Sequence, residues 1–366
     1  MAVVVEMAGL IRLNEIYMER VWGGSKLKSL LGKPVPQGPP VGEAWIVSDH
    51  ATAVSSVVSG PLKGYSLHEL LTNDPKSLLG YHAKPTPFGR FPLLLKLLDT
   101  AEWLSIQVHP DDQTAVRLGE LDVGKTEMWY IMNADPGSRI LCGMNPTLTA
   151  QSLPTECANG AIQSQLKSVP VTAGDAVFVP AGHMHSIGGG VLLAEIQQNS
   201  DLTYRVYDWG REGDDGKPRP LHIDKALEAT RFGAEHPGLA IPLALRFDHG
   251  QRAILGACRY FATEKVDVSG TYVRDTRNAS FHILLGLSRE LTVTAGGDDA
   301  LLRRGEALLI PGCMAEFRAN GTGSFLDYYV PDLLVDVVEP LRRMGYRDSL
   351  MVGLGGDPVH SDVALL

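Results

Sequence analysis

Residues 174 to 190, GDAVFVPAGHMHSIGGG, align without a gap on residues 305 to 321, GEALLIPGCMAEFRANG. This recurrence constrains the fold more than any other feature of the chain. Gly174 coincides with Gly305 and Pro180 with Pro311. In each copy Gly and an acidic residue make a turn, an apolar run forms a strand, and Pro stops it ahead of a second turn. One β-hairpin unit is therefore used twice, and two related β domains are expected. A length of 366 residues suits two domains of about 150 residues each. The expected division is residues 1–235, carrying helical insertions, and 240–366, with the break where EHPGLAIP interrupts the pattern near 234 to 243.

Short apolar runs separated by Gly, Pro, Asn and Asp dominate the remainder: PLLLKLLD, LSIQVHP, EMWYIM, DAVFVP, VLLAEIQ, FHILLGL, ELTVT, ALLIP and FLDYYV. Their spacing predicts a mainly β chain built as barrels or jelly rolls rather than a parallel sheet with alternating helices. Helical periodicity is confined to SLHELLTND, ANGAIQSQLKSV, HIDKALEAT and PDLLVDVVEPLRRMG.

Two of these strands carry polar groups on one face. In LSIQVHP the alternation puts Ser105, Gln107 and His109 together, opposite Leu104, Ile106 and Val108. In GKTEMWYI the same period groups Lys125, Glu127 and Trp129, and strand pairing would bring this face beside the first. The repeated hairpin adds His183 and His185, which share a parity and are equally placed by alternation alone. Imidazole, carboxylate and amide oxygen suit Zn²⁺ and similar divalent ions, and four protein ligands leave room for water or substrate. The second copy has Ala315 and Glu316 where the first has Met184 and His185, so the expected site lies in the first domain only.

The formal charge of -9 argues against a nucleic-acid partner, which needs clustered Lys and Arg. Small anions are not excluded, because local cations decide their binding. The four cysteines are scattered with no CxxC pair, and no apolar run approaches the ~20 residues that span a bilayer. With no basic stretch ahead of the apolar residues in MAVVVEMAGLIRLNEI, a cytoplasmic protein with no membrane partner is expected. The oligomeric state, monomer or homodimer, is left open.

The stretch from Gly174 resembles the second cupin motif through Pro180, Gly182, His185 and Gly189, and that spacing selects His185 over His183. More of the chain resembles type I mannose-6-phosphate isomerase in its compact bacterial form. The resemblance runs through ERVWGGSKL, GEAWIVSDH, LLLKLLDTAEWLSIQVHPDD, GKTEMWYI, GDAVFVPAGHMHSIGGG, LLAEIQQNSDLTYRVYDWGR and the terminal LGGDPVHSDVALL. It implies two cupin-type barrels and one divalent metal ion, most often zinc, on Gln107, His109, Glu127 and His185. It also implies a catalytic arginine at Arg205 with an acidic partner at Glu195, and phosphate contacts at Lys96, Ser105 and Lys125. Trp22 and Glu43 match positions near the pocket. The implied reaction interconverts mannose 6-phosphate and fructose 6-phosphate. Glu195 is the candidate proton shuttle, with a metal-bound water or a His as alternatives. Two other readings are a non-haem iron dioxygenase of the same superfamily and a sugar-phosphate-binding cupin without activity. Two departures stand out, His183 where relatives carry Thr or Asn, and Ile46 where an acidic residue is common.

Overall fold

A computed structural model describes residues 7–213, 216–236 and 238–366. The first six residues, on which the reading of the N-terminal stretch partly rests, and Pro237, inside the expected domain break, lie outside the described residues. The chain is mainly β. It packs as two compact units, one formed by Tyr17–Trp45 and Leu95–Ala240, the other by Met1–Ile16, Ile46–Leu94 and Ile241–Leu366. The chain passes between the units after Ile16, Trp45, Leu94 and Ala240. The segments 7–16 and 46–94 pack with the C-terminal part of the chain. Ile11 bridges to Leu309, and the backbone N–H groups of Tyr81 and His82 donate to the carbonyls of Asn278 and Ala279.

The unit containing 95–240 is built on two sheets. One has six strands in the order Ile16–Glu19, Val41–Val47, Leu93–Thr100, Val191–Gln198, Glu127–Ala134 and Ala176–Val179. The other has five, in the order Tyr204–Tyr207, Ile106–Val108, His185–Ile187, Arg139–Met144 and Leu166–Pro170. Trp129, Ile131, Val177, Val179 and Leu193 of the first sheet pack with Ile140, Cys142 and Ile187 of the second, so this apolar core lies between the sheets. Alternation sends the remaining side chains of the five-stranded sheet outward. Ile106, Val108, Leu141, Tyr204 and Val206 form a separate cluster with Ala226 and Ala229 of helix Ile223–Ala229 and with Leu153 and Cys157 of helix Leu153–Ala158. An apolar outer layer is what turns the polar residues of LSIQVHP inward.

The other unit is dominated by one eight-stranded sheet. Its axis is the antiparallel pair Ala262–Asp275 and Glu316–Tyr329, in register from Ala262 opposite Tyr329 to Asp275 opposite Glu316. The second copy of the repeat forms strand Ala307–Ile310, a turn at Pro311, and then the strand starting at Glu316. The first copy does the same with Ala176–Val179 and His185–Ile187. His185 and Glu316 thus occupy the same place, the first residue of the returning strand. His185 is buried, whereas Glu316 is exposed and pairs with Arg318 at 2.9 Å.

Two of the four helical expectations hold as single helices. Leu67–Asn73 begins at a capping box in which Ser66 and Glu69 bond each other's backbone N–H, and Ile223–Ala229 falls within HIDKALEAT. ANGAIQSQLKSV departs from the expectation. It forms a short 3-10 turn, Ala161–Gln165, and then strand Leu166–Pro170 on the edge of the five-stranded sheet, because Leu166 and Val169 pair with Met144 and Ile140. PDLLVDVVEPLRRMG divides into a π turn, Leu333–Val338, and an α segment, Glu339–Arg343. Pro340 has no N–H to return to Asp336, and the wider turn ahead of it removes the need for that bond.

Candidate metal centre and substrate pocket

The strand register assembles the centre. Gln107 is paired with His185 on one side and with Arg205 on the other, in adjacent strands of the five-stranded sheet. His109 follows immediately after the end of the Gln107 strand. From the six-stranded sheet, Glu127 opens its strand between Val179 and Gln197. These elements bring one donor atom each of His109, Glu127 and His185 within 4.8 Å of one another, all three residues being buried. His109 Nε2 lies 3.4 Å from Glu127 Oε2, and His185 Nε2 lies 3.3 Å from Glu127 Oε1. Gln107 joins them, its Nε2 3.3 Å from His185 Nε2 while its Oε1 accepts from Ser105 Oγ at 3.2 Å.

Several features fit this cluster to a cation. His109 Nε2 is buried without a hydrogen bond, a costly state that coordination would relieve. Each imidazole uses its other nitrogen on a backbone carbonyl, His109 Nδ1 with Leu202 O at 2.8 Å and His185 Nδ1 with His183 O at 2.9 Å. This is how metal-binding imidazoles are held with Nε2 facing the ion. Burial, reinforced by the Lys125 charge, takes His109 down to about 3 despite the opposing pull of Glu127, and His185 is also lowered. Both rings are therefore neutral, the form that ligates. Burial disfavours the Glu127 carboxylate, but the Lys125 charge beside it is the main opposing influence and the group is held well below the ordinary range.

His183 takes a different course. It stays outside the three-residue cluster, its ring edge-on to His236 at 5.6 Å between centroids, and contributes to the centre through the carbonyl that fixes His185.

A cavity of about 540 Å³ opens beside the centre, within the size range of small-molecule sites. Every residue expected to meet substrate lines it: Trp22, Lys96, Ser105, Lys125, Glu195 and Arg205. Lys125 Nζ sits 3.1 Å from Glu127 Oε2, and Lys96 Nζ is 3.7 Å from Glu195 Oε1 and 4.9 Å above the ring of Trp45. Glu195 is buried, and burial together with the Glu127 charge lifts its carboxyl to about 7 against the pull of Lys125 and Lys96. The Trp129 indole N–H is shared between Glu127 Oε1 at 3.1 Å and Glu195 Oε2 at 3.0 Å. Arg205 donates through Nη1 to Pro220 O at 3.0 Å, while its Nε is buried without a hydrogen bond. Glu43, also on the lining, accepts from Arg20 Nε and from Trp45 Nε1, both at 2.7 Å. Burial raises its carboxyl, yet Lys96 and Arg20 prevail and bring it to about 2.

Local pattern points neither to Arg20 and Arg219 on the lining nor to the bridge made by Trp129. Arg20 and Arg219 lie outside the strands whose parity was readable. Only the Glu127/Trp129 parity pointed towards the third.

Comparison with known proteins agrees with this geometry. A family model described as the phosphomannose isomerase type I catalytic domain matches residues 10–135. The chain is 35% identical over 315 residues to a mannose-6-phosphate isomerase of Streptococcus mutans, covering 86% of this chain and 96% of the relative. It is 34% identical over 311 residues to mannose-6-phosphate isomerase ManA of Bacillus subtilis, covering 84% and 94% respectively. A crystal structure of the mannose 6-phosphate isomerase from Bacillus subtilis superposes with a TM-score of 0.78 at 31% identity, covering 87% of this chain and 99% of that one. Its sequence, fold and buried His–Glu–His cluster agree: the chain belongs to the type I phosphomannose isomerase family.

Proposed function

We propose that the chain is a metal-dependent isomerase that interconverts mannose 6-phosphate and fructose 6-phosphate through a cis-enediol or enediolate. The observation that carries this reading is the convergence of His109, Glu127, His185 and Gln107 at one end of a cavity whose lining also holds Glu195 and Arg205.

Gln107, His109, Glu127 and His185 would hold one divalent ion, and neutral imidazoles with a carboxylate and an amide favour zinc. Such an ion supplies Lewis acidity towards sugar oxygens. The remaining work falls to the protein's own groups. Isomerisation removes the C2 proton of the open-chain aldose and returns a proton to C1, while a hydroxyl proton moves from O2 to O1. Glu195 shuttles the carbon proton. A carboxyl lifted towards neutrality by burial is matched to both accepting and releasing it. Arg205 faces the negative charge that develops on the sugar oxygens, its buried Nε being a donor without a competing bond. Trp22 closes the cavity wall, and Lys96, Ser105 and Lys125 orient the substrate.

The test is a coupled assay for conversion of mannose 6-phosphate to fructose 6-phosphate, run with chelator and then with added Zn²⁺. Loss of activity with chelator and recovery with zinc is expected. Chelator-insensitive turnover, or none in the zinc-loaded protein, rejects the reading.

A further inference from the structure

A further cavity, of about 700 Å³, lies wholly within the unit that contains the C-terminal residues. It is built over a bend. Glu264 and Arg274 stand ten residues apart on the strand Ala262–Asp275, yet Arg274 Nη1 donates to Glu264 Oε2 at 3.2 Å. A straight strand would hold the two about 33 Å apart. The strand pair therefore doubles over between them, where Gly270 (φ +137) faces Gly321 (φ +129).

Two arginines on the cavity lining share that one carboxylate. Arg252 directs Nη1 at both Glu264 oxygens, at 2.9 and 3.0 Å, and Arg274 does the same at 3.4 and 3.2 Å. Nε and Nη2 of both have no hydrogen-bond partner among the described residues and are not sealed from solvent. Two side-on donor edges thus open onto the cavity. Arg274 is only 9% exposed, and its guanidinium lies 4.8 Å over the ring of Tyr329, so this fork is fixed before a ligand arrives. The wall beside it is apolar. Phe247 and Tyr272 pack with ring centroids 5.1 Å apart, and Pro340 and the exposed Met344 continue the lining.

The charge around this cavity is close to balanced. Arg277 pairs with Asp336 and Arg343 with Glu339. The exposed rim sets Arg246 against Asp248 and Asp275, with His249 beside them. On the floor, Arg252 and Arg274 exceed Glu264 by one positive charge. Solvent screens the rim far more than the floor.

We propose that this cavity is a binding site, independent of the isomerase reading, for a small organic monocarboxylate with an apolar or aromatic body. Its carboxylate meets the Nε and Nη2 edges of Arg274 and Arg252, and its body lies against Phe247, Tyr272 and Met344. A planar carboxylate suits a side-on guanidinium edge, with two parallel hydrogen bonds. One such group neutralises the floor, whereas a phosphate dianion would leave negative charge in excess.

The probe is para-fluorobenzoate, followed by fluorine NMR titration of the full-length, zinc-loaded chain. A Kd of about 1 to 10 mM is ordinary for a ligand of about ten heavy atoms. The matching amide, para-fluorobenzamide, should bind at least about tenfold more weakly, and phenyl phosphate more weakly than the carboxylate. Arg274→Lys keeps a cation beside Glu264 but loses the fork, and should weaken the probe about tenfold. Met344→Glu, at an exposed position, should weaken it about fivefold by repulsion; if Arg274→Lys does not fold, this variant decides alone. Arg205→Ala should bind the probe as the parent does. Equal affinity for acid and amide, tighter binding of phenyl phosphate, or parental affinity in Met344→Glu overturns the proposal. So does loss of binding in Arg205→Ala, which would put the probe in the cavity beside the metal centre, or no saturation by about 50 mM. Turnover of mannose 6-phosphate is not read, so this outcome and that of the isomerase reading stay separate.

Discussion

Arg205 pairs with Gln107 in the neighbouring strand and His109 follows just beyond that strand, and single substitutions should separate the different roles proposed for them. His109→Ala removes a ligand, so metal analysis should find well under the ~1 ion per chain expected of a complete centre. An ion still held tightly by that variant would mean the ligand set is wrong. Arg205→Ala leaves Gln107, His109, Glu127 and His185 in place. Its metal content should be unchanged while kcat falls about 10²- to 10³-fold, the loss typical of one oxyanion donor. Near-normal turnover would take Arg205 out of the chemistry. Strand parity made Gln107, His109 and Glu127 readable from sequence, because alternation is a property of local backbone. It could not tell His183 from His185. The tertiary setting does, since Ser186 and His185 pair with Leu141 and Cys142 while the ring of His183 turns to His236. Arg219 was unreadable for a related reason: nothing in PRPLHI reveals that its guanidinium will pair with the Asp208 carboxylate.

At the scale of elements, the hairpin before His185 sets the geometry of two candidate ligands at once. Gly182 donates its N–H to His109 O at 2.8 Å, so the turn that aims His185 is fastened to the residue beside it in space. Gly182 has φ +89, and a Cβ there would lie 2.6 Å from Arg231 Cγ and 3.1 Å from Ala229 O. Gly182→Ala should therefore cost about 1 to 3 kcal/mol in urea unfolding and weaken zinc affinity with it. A variant of parental stability and affinity would show that the turn does not govern the centre. The apolar runs named from sequence all became strands, since burial and β-branching act within a few residues. ANGAIQSQLKSV failed because an edge strand was available to pair with, which no local periodicity reports. The long pair Ala262–Asp275 and Glu316–Tyr329 was only partly visible, as its exposed portion, with Ser269, Gly270 and Thr271, lacks an apolar run.

The whole chain is threaded unevenly between its two units, and the interiors of those units differ in kind. Where one holds a cluster suited to a cation, the other holds a matched network. Glu264 accepts from Arg252 Nη1 at 2.9 Å, from Arg274 Nη1 at 3.2 Å and from Tyr329 OH at 2.6 Å. Burial alone would raise the Glu264 carboxyl, but Arg252 and Arg274, with the tyrosine hydroxyl, hold it at about 2. Its unfolded value is about 4.3. The ionised form thus stabilises the fold in full above about pH 4.3, by roughly 3 kcal/mol, and that contribution is lost as pH falls through the folded value. Glu264→Gln should be destabilised by about 3 to 5 kcal/mol at pH 7, because the buried Arg274 and the half-buried Arg252 lose their counter-charge. Its stability should also fall less steeply than the parent's between pH 5 and 2. Parallel acid-unfolding curves for the two proteins would show that Glu264 does not control acid lability.

The shared hydrogen bond of Trp129 makes the molecule self-reporting. An indole whose single N–H is divided between Glu127 and Glu195 senses the charge on both, and indole emission follows the local electric field. Subtracting the spectrum of a Trp129→Phe variant from that of the parent, which has five tryptophans, isolates this one fluorophore. Metal loading beside Glu127 and protonation at Glu195 would then be followed optically, each as its own spectral displacement, without adding a dye to the protein.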